Sequence, residues 1–124
     1  MKEKILTKDA PAPIGPYNQA ILTGNTLYVS GQIALDMQGN LVNGSVETET
    51  EQVMKNLGAI LKAAGMDYSN IVKCSIFIRD MTKFSNINTI YGKYFTDMEP
   101  ARETVEVSRL PKDVHVEISC IAVK

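Results

Sequence analysis

The chain alternates apolar and polar residues over six segments and repeats apolar residues at helical spacing over two others. Alternation with a period of two is typical of strands, and it predicts strands at residues 2–6, 18–23, 27–30, 71–78, 101–107 and 114–122. Apolar residues three and four positions apart predict a helix from its N-cap Ser45 to Gly65, and a second helix that ends near Phe95. The predicted order is therefore β-β-β-α-β-α-β-β.

This order predicts a single α+β domain over residues 1–124, a sandwich in which both helices cover one face of a mixed β-sheet. The other face would also carry apolar residues, namely Ile71, Phe77, Ile121 and Val123. Because no element of the chain remains to cover them, we expect self-association, for example in a closed ring.

Two charged residues stand out in the last quarter, where the strands otherwise consist of apolar and neutral residues. If segments 101–107 and 114–122 pair as a hairpin, its polar face carries Arg102, Thr104, Glu117 and Ser119. A guanidinium grips a carboxylate with two parallel hydrogen bonds, and a neighbouring carboxylate can handle a water molecule. The pattern suggests a site for small carboxylic acids, although a structural cross-strand ion pair worth under ~1 kcal/mol is the commoner reason for it.

Composition and charge narrow the function further. The 124 residues are 44% hydrophobic and carry a formal net charge of −1 without a basic cluster, so we expect no nucleic-acid partner. No apolar stretch approaches the ~20 residues of a membrane helix and no secretory signal is visible, so we expect a cytoplasmic protein. Cys74 and Cys120 are expected to be buried free thiols, and with the single histidine they make no metal site.

Five motifs in this order resemble one known family: GPYNQA at 15–20, VSGQI at 29–33, ILKAAG at 60–65, the segment from IFIRDM to KYF, and PARETVEVSRLPKDVHVEISCIA. Together they are similar to the Rid (YjgF-type) family of reactive-intermediate enamine/imine deaminases. The resemblance implies a chorismate-mutase-like fold and a homotrimer with sites in the clefts between subunits. It also implies hydrolysis of enamines and imines to 2-keto acids and ammonia without a cofactor. Examples are 2-aminoacrylate and 2-aminocrotonate, which pyridoxal-phosphate-dependent serine/threonine dehydratases release.

The same resemblance assigns two catalytic residues. Arg102, in the P-A-R motif, would clamp the substrate carboxylate, and Glu117, in the V-E-I motif, would hold or polarise the attacking water. The chemistry fits these residue types, because an iminium ion is already electrophilic and needs only positioning and acid–base help. We expect Arg102 to favour the ionised form of Glu117. The alternative is that Glu117 is only the structural partner of Arg102.

Five further positions are implied as substrate-binding. Tyr17 would line the pocket, and Ser30 and Gly31 would lie at its mouth. Asn88 would lie close by on the second helix, and Thr104 stands where many members carry cysteine. Structural alternatives are a subunit contact for Tyr17, a strand end for Ser30 and a satisfied junction residue for Asn88. Because hydrolysis of an iminium needs no covalent intermediate, we expect activity to survive with threonine at position 104.

A second function stays open at this point. The trimer could bind small 2-keto or 2-amino acids, or regulate a metabolic enzyme, without turning them over. Glu117 separates the two hypotheses, because Glu117→Gln in an enzyme should keep the ligand and lose hydrolysis. His115, two residues earlier, is expected to be a surface residue rather than a general base.

Overall fold

The computed structural model describes residues 1–124, and its elements follow the predicted order. The strands are β1 (Lys2–Ile5), β2 (Ala20–Thr23), β3 (Thr26–Gln32), β4 (Ile71–Ile78), β5 (Ala101–Glu106) and β6 (Val116–Val123). The helices are α1 (Val46–Ala63) and α2 (Phe84–Gly92). The predicted order β-β-β-α-β-α-β-β is confirmed.

The six strands form one mixed sheet in the order β1-β2-β3-β6-β4-β5, in which only β4 and β5 are parallel neighbours. Both helices pack on one face of the sheet, so the predicted α+β sandwich is confirmed. The largest fully buried apolar side chains lie between these layers: Leu27, Met54, Leu57, Ile60, Leu61, Ile76, Ile78, Ile87 and Ile118. Their removal from water is the main force that holds the layers together. Neither helix combines the length and the apolar character that a bilayer crossing requires.

The first helix begins and ends where its sequence predicts. The Ser45 side chain accepts a hydrogen bond from the Thr48 N–H, and Glu47 and Glu49 place negative charge in the first turn. After the last turn, Gly65 adopts φ +73°, a left-handed conformation that glycine takes without steric cost. Both ends of α1 are therefore fixed by local chemistry.

The predicted hairpin between the last two strands is wrong. β6 lies between β3 and β4, whereas β5 pairs in parallel with β4 at the edge of the sheet. Composition explains these places: β6 presents an unbroken apolar face to the helices and suits the centre of the sheet. β5 has the sequence ARETVE, which is mostly polar and suits an edge strand with one side open to water. α2 supplies the crossover that a parallel pair requires.

The sheet face away from the helices is largely uncovered. It carries five apolar side chains that are half-buried or exposed: Tyr28, Phe77, Val105, Ile121 and Val123. The prediction that Ile71 belongs to this face is wrong, since Ile71 is only 5% exposed and lies in the core. The pairing of β4 with β6 shifts register between Ile71 and Lys73, and this irregularity turns Ile71 toward the helices.

The second helix ends before the predicted Phe95, and a 3₁₀ turn precedes it. Asp80 caps that turn by accepting a hydrogen bond from the Thr82 N–H, whereas α2 begins at Phe84 without a side-chain cap. The helix ends at Gly92, although Phe95 still packs in the core. α2 therefore spans little more than two turns.

Candidate active site

A cavity of about 360 Å³ opens beside the end of β3. Four of the predicted site residues line it: Tyr17, Ser30, Gly31 and Glu117. Its remaining wall comes mainly from the proline-rich segment 11–14, with Ile33 and Pro111. The structure therefore brings these four residues to one place, although they come from three separate parts of the chain.

One buried amide holds the proline-rich wall. Gln19 is only 2% exposed, and its side-chain Oε1 accepts a 2.7 Å hydrogen bond from the Thr7 N–H. Its Nε2 donates to the carbonyls of Thr7 and Pro11 at 3.1 and 2.9 Å. A segment rich in proline has few N–H groups, so its carbonyls need an outside donor. Gln19 is not among the predicted site residues. The feature of the sequence that could have indicated it is a glutamine shortly after a proline-rich segment.

Tyr17 and Ser30 are tied to the backbone around the cavity. The Tyr17 hydroxyl accepts a 3.2 Å hydrogen bond from the Ile14 N–H. The Ser30 hydroxyl donates to the Asn18 carbonyl at 2.6 Å, and the Ser30 N–H donates to the Gln19 carbonyl at 2.9 Å. The Ser30 hydroxyl therefore donates its proton within the chain, and it can form a further hydrogen bond only as an acceptor.

The Glu117 side chain lies directly against Gly31. A Cβ at position 31 would come within 2.8 Å of the Glu117 Cδ and closer still to Oε2, so only glycine leaves room for the carboxylate. Gly31 is not among the residues with positive φ, so the requirement is one of space rather than of backbone conformation. β3 runs on through Gly31, whereas the predicted strand ended at residue 30, and its register against β6 shifts between Val29 and Gln32.

The electrostatic surroundings of Glu117 differ from the expectation. Burial raises the pKa of the Glu117 carboxyl, and this carboxylate takes part in none of the three salt bridges of the chain. The expectation that Arg102 favours its ionised form is therefore wrong for one chain taken alone. The reason is distance, because Arg102 belongs to another part of the sheet.

Arg102 lies in a second cavity of about 320 Å³, at the sheet edge beneath α2. Its Nη1 donates a 2.7 Å hydrogen bond to the Asn88 Oδ1. Its guanidinium carbon lies 5.5 and 5.2 Å from the ring centroids of Phe84 and Tyr91. The predicted residue Asn88 is thus in direct contact with Arg102, and Glu99 lines the same cavity.

Thr104 lies on the same face of β5 as Arg102 but lines neither cavity. It aligns with the core residue Ile76, so its side chain faces the helix layer. The Thr104 Oγ1 is buried without a hydrogen-bond partner, as is the hydroxyl of Tyr91. Such unpaired hydroxyls are uncommon in folded proteins, because each loses its bonds to water on burial.

The prediction that Arg102 and Glu117 share a face is wrong. Arg102 aligns with the core residue Cys74 and points to the helix side, whereas Glu117 aligns with Phe77 on the open face. β4 also separates their strands, which adds two strand spacings, or ~10 Å. One chain therefore holds two separate groups of side chains, one around the Glu117 carboxylate and one around the Arg102 guanidinium.

Comparison with known proteins identifies the family of this chain. The family described as endoribonuclease L-PSP matches residues 7–124. A solved Yersinia pestis protein of the conserved Rid protein family, described as of unknown function, is 48% identical, with a TM-score of 0.97 over 100% of both chains. The chain belongs to the Rid family. Its fold is the chorismate-mutase-like fold of the Rid structures, as the motifs imply.

Two other relatives bear on the chemistry. The human 2-iminobutanoate/2-iminopropanoate deaminase is 44% identical over 125 residues, which cover 100% of this chain and 91% of the human protein. TdcF from E. coli, solved with bound serine, is 38% identical, with a TM-score of 0.94 over 98% of each chain. One relative is named for small imino acids, and the other was solved with a small amino acid.

This Rid chain also buries an acid that sequence analysis did not recognise as structural. Glu49 in α1 is 0% exposed; its Oε1 accepts a 2.9 Å hydrogen bond from the His115 N–H, and its Oε2 lies 2.5 Å from the His115 Nδ1. A buried carboxylate requires such partners. The His115 side chain is 54% exposed, which agrees with its predicted surface position. The contact ties the start of β6 to α1.

Replacing Glu49 by alanine is expected to lower the free energy of unfolding by about 2 kcal/mol, because the His115 N–H loses its acceptor and a cavity forms. Glu49→Gln keeps an oxygen for the same N–H and should stay within about 1 kcal/mol of the wild type. Urea unfolding at equal protein concentration measures both effects. Equal destabilisation by the two substitutions would contradict this role of Glu49.

Proposed function

We propose that this Rid protein hydrolyses reactive enamine and imine acids, such as 2-aminoacrylate and 2-aminocrotonate, to 2-keto acids and ammonia. The observation that carries the proposal is the pair of complementary half-sites. One half-site presents a half-buried carboxylate in a cavity, and the other presents a guanidinium held in a defined orientation. The name of the human relative and the serine bound to TdcF support the same substrate class. Pyridoxal-phosphate-dependent serine/threonine dehydratases would supply these compounds.

The proposed enzyme is a homotrimer in which each active site joins two protomers. The two half-sites of one chain lie on opposite faces of the sheet, so a complete site combines Arg102 of one protomer with Glu117 of the next. The uncovered apolar face with Tyr28, Phe77 and Ile121 supports such a contact. A head-to-tail contact of this kind closes into a ring, and threefold closure gives three equivalent sites.

The reaction needs one anchor and one base. Arg102 grips the substrate carboxylate through two parallel N–H···O bonds and thereby places the imine carbon beside Glu117. The substrate reacts as the iminium ion, protonated at nitrogen. Glu117 accepts a proton from water as the water oxygen bonds to the imine carbon, and the C=N electron pair moves to nitrogen, which becomes a neutral amine. Glu117 then returns the proton to this amine, and the C–N bond breaks with its electron pair going to the departing ammonia. The carbonyl forms as the ammonia takes the hydroxyl proton, and the products are the 2-keto acid and ammonium.

The charge state of Glu117 in this scheme depends on two opposing effects. Burial raises its pKa, which makes the carboxylate a stronger base once it is ionised. Arg102 of the next protomer would add positive charge and favour the ionised form. The expected influence of Arg102 on Glu117 therefore acts between protomers in this proposal, and not within one chain.

Water, not a side chain, is the nucleophile in this scheme. The Thr104 side chain faces the helix layer and lines neither cavity. Cys74 and Cys120 are both buried free thiols, and burial raises the pKa of each. Threonine in place of the cysteine of many members therefore removes no group that the hydrolysis requires.

The proposal is tested by adding the protein to a serine or threonine dehydratase reaction and following the release of keto acid and ammonia. We expect the wild type to accelerate release, and so should Arg109→Ala, because Arg109 is exposed and pairs only with Asp113. Arg102→Ala should give no acceleration. Binding of 2-oxobutyrate without any acceleration by the wild type would instead favour a non-catalytic trimeric binding or regulatory protein. Full activity of Arg102→Ala would contradict the carboxylate clamp.

A further inference from the structure

The guanidinium of Arg102 is held on three sides although it belongs to an exposed residue of an edge strand. Asn88 accepts the hydrogen bond from Nη1 at 2.7 Å, and the rings of Phe84 and Tyr91 lie 5.5 and 5.2 Å from the guanidinium carbon. These three residues are four and three positions apart on α2, so they share one side of the helix. One helix face therefore forms the whole contact.

The two aromatic rings differ in how firmly they are held. Tyr91 is 5% exposed, packs 4.9 Å from the Phe95 ring centroid, and carries a buried hydroxyl without a partner. Burial raises the pKa of the Tyr91 phenol, so the ring beneath the cation is uncharged. Phe84 is only partly buried, at the first residue of α2. Tyr91 is thus fixed within the core. Phe84 is the ring that can be replaced with less damage to the core.

An arginine side chain has many rotamers, and a free surface arginine loses this freedom when it binds a carboxylate. An aromatic ring near a guanidinium attracts it, and the attraction is stronger where water is excluded. With two rings beside it and Asn88 on one nitrogen, the guanidinium of Arg102 loses much of its freedom before any ligand arrives. Its remaining N–H groups stay available for a planar anion.

We propose that Phe84, Asn88 and Tyr91 are positioning residues that hold the guanidinium of Arg102 ready for a carboxylate. Asn88 then acts through Arg102, because its side-chain oxygen is occupied by Nη1. This inference rests on the proposed function for its substrate. Its physical core, an arginine immobilised in the ligand-free protein, does not depend on turnover.

The test compares wild type, Phe84→Leu and Phe84→Tyr by ¹⁵N relaxation of the Arg102 Nε–Hε group in the ligand-free protein. The order parameter should be about 0.85 in wild type and Phe84→Tyr, as in a rigid group, and below about 0.6 in Phe84→Leu. Phe84→Leu keeps an apolar side chain but removes the ring. Asn88→Ala should lower it as well. Equal order parameters in wild type, Phe84→Leu and Asn88→Ala would overturn the inference.

Kinetics with 2-aminocrotonate separate this inference from the proposed function. Phe84→Leu should raise KM about fivefold and leave kcat within about twofold, because the carboxylate is gripped equally in ground and transition states. Phe84→Tyr should keep the wild-type KM. If Arg102 is more mobile in Phe84→Leu than in wild type but the wild type shows no turnover, the positioning role stands and the proposed enzyme is rejected. An unchanged KM in an active Phe84→Leu variant would reject the positioning role and leave the enzyme intact.

Discussion

Mixing Arg102→Ala protomers with Glu117→Gln protomers is expected to restore about a quarter of the wild-type deaminase activity in a random one-to-one mixture. Glu117→Gln alone should lose activity by roughly 10²–10⁴-fold, the size of effect that a general base supplies. Arg102→Ala alone should also be inactive, because the carboxylate that places the imine carbon beside Glu117 is no longer gripped. In a mixed ring, a site is intact when its arginine comes from a Glu117→Gln chain and its glutamate from an Arg102→Ala chain. The positions of the two residues on opposite sheet faces lead directly to this expectation.

The mixture is prepared by unfolding the two variants together and refolding them, with wild type carried through the same procedure. A matched control mixes each variant with the double variant that carries both substitutions. These control mixtures should stay inactive, because every site then lacks either the arginine or the glutamate. Activity in the wild type but none in the one-to-one mixture would show that a site uses both residues of the same chain, and would reject the shared site.

Gly31→Ala is expected to reduce kcat by about 100-fold, because the new Cβ would occupy the space of the Glu117 carboxylate. A displacement of about 1 Å at a reacting group is enough for a loss of this size. The fold should survive, since the Cβ meets the far end of a flexible side chain and Gly31 has no positive φ. Initial rates of ammonia release, together with the melting temperature, measure the two effects separately.

Gly44→Ala is the matched control for this prediction. A Cβ at Gly44 meets no atom within 4 Å, and Gly44 has no positive φ either. This variant should keep the wild-type rate, so that any loss in Gly31→Ala reports the clash and not the removal of a glycine. Wild-type activity in Gly31→Ala would mean that the Glu117 carboxylate does not need its observed position for the hydrolysis.

The local pattern of the sequence predicted the elements better than their partners. Alternation in residues 101–107 correctly groups Arg102 with Thr104, and the strand order along the chain is right. The pattern does not say which strand lies beside which, and the short link between β5 and β6 suggested a hairpin that does not form. Ile71 was misassigned for a related reason, since an irregular register reverses the side of a residue without changing its neighbours in sequence.

The side of the sheet that Arg102 faces could not be predicted from polarity. Polar residues usually mark the wet face, yet the polar set of β5 faces the helix layer because β5 is at the edge and α2 covers it only in part. The family motifs contain the predicted residues that line the cavities of Glu117 and Arg102, and their roles there stay predictions. They did not indicate Gln19 or the Glu49–His115 contact, because a buried polar residue looks like a surface one until its partner is known.

The unpaired hydroxyl of Thr104 makes this position unusually tolerant of exchange. Its oxygen gains nothing from its neighbours, so a side chain of similar volume that lacks a hydroxyl, such as valine, gives up no bond there. Selection on folding alone would therefore let residue 104 vary among small side chains, whereas the carboxylate-binding role proposed for Arg102, two residues away, would tolerate no such exchange.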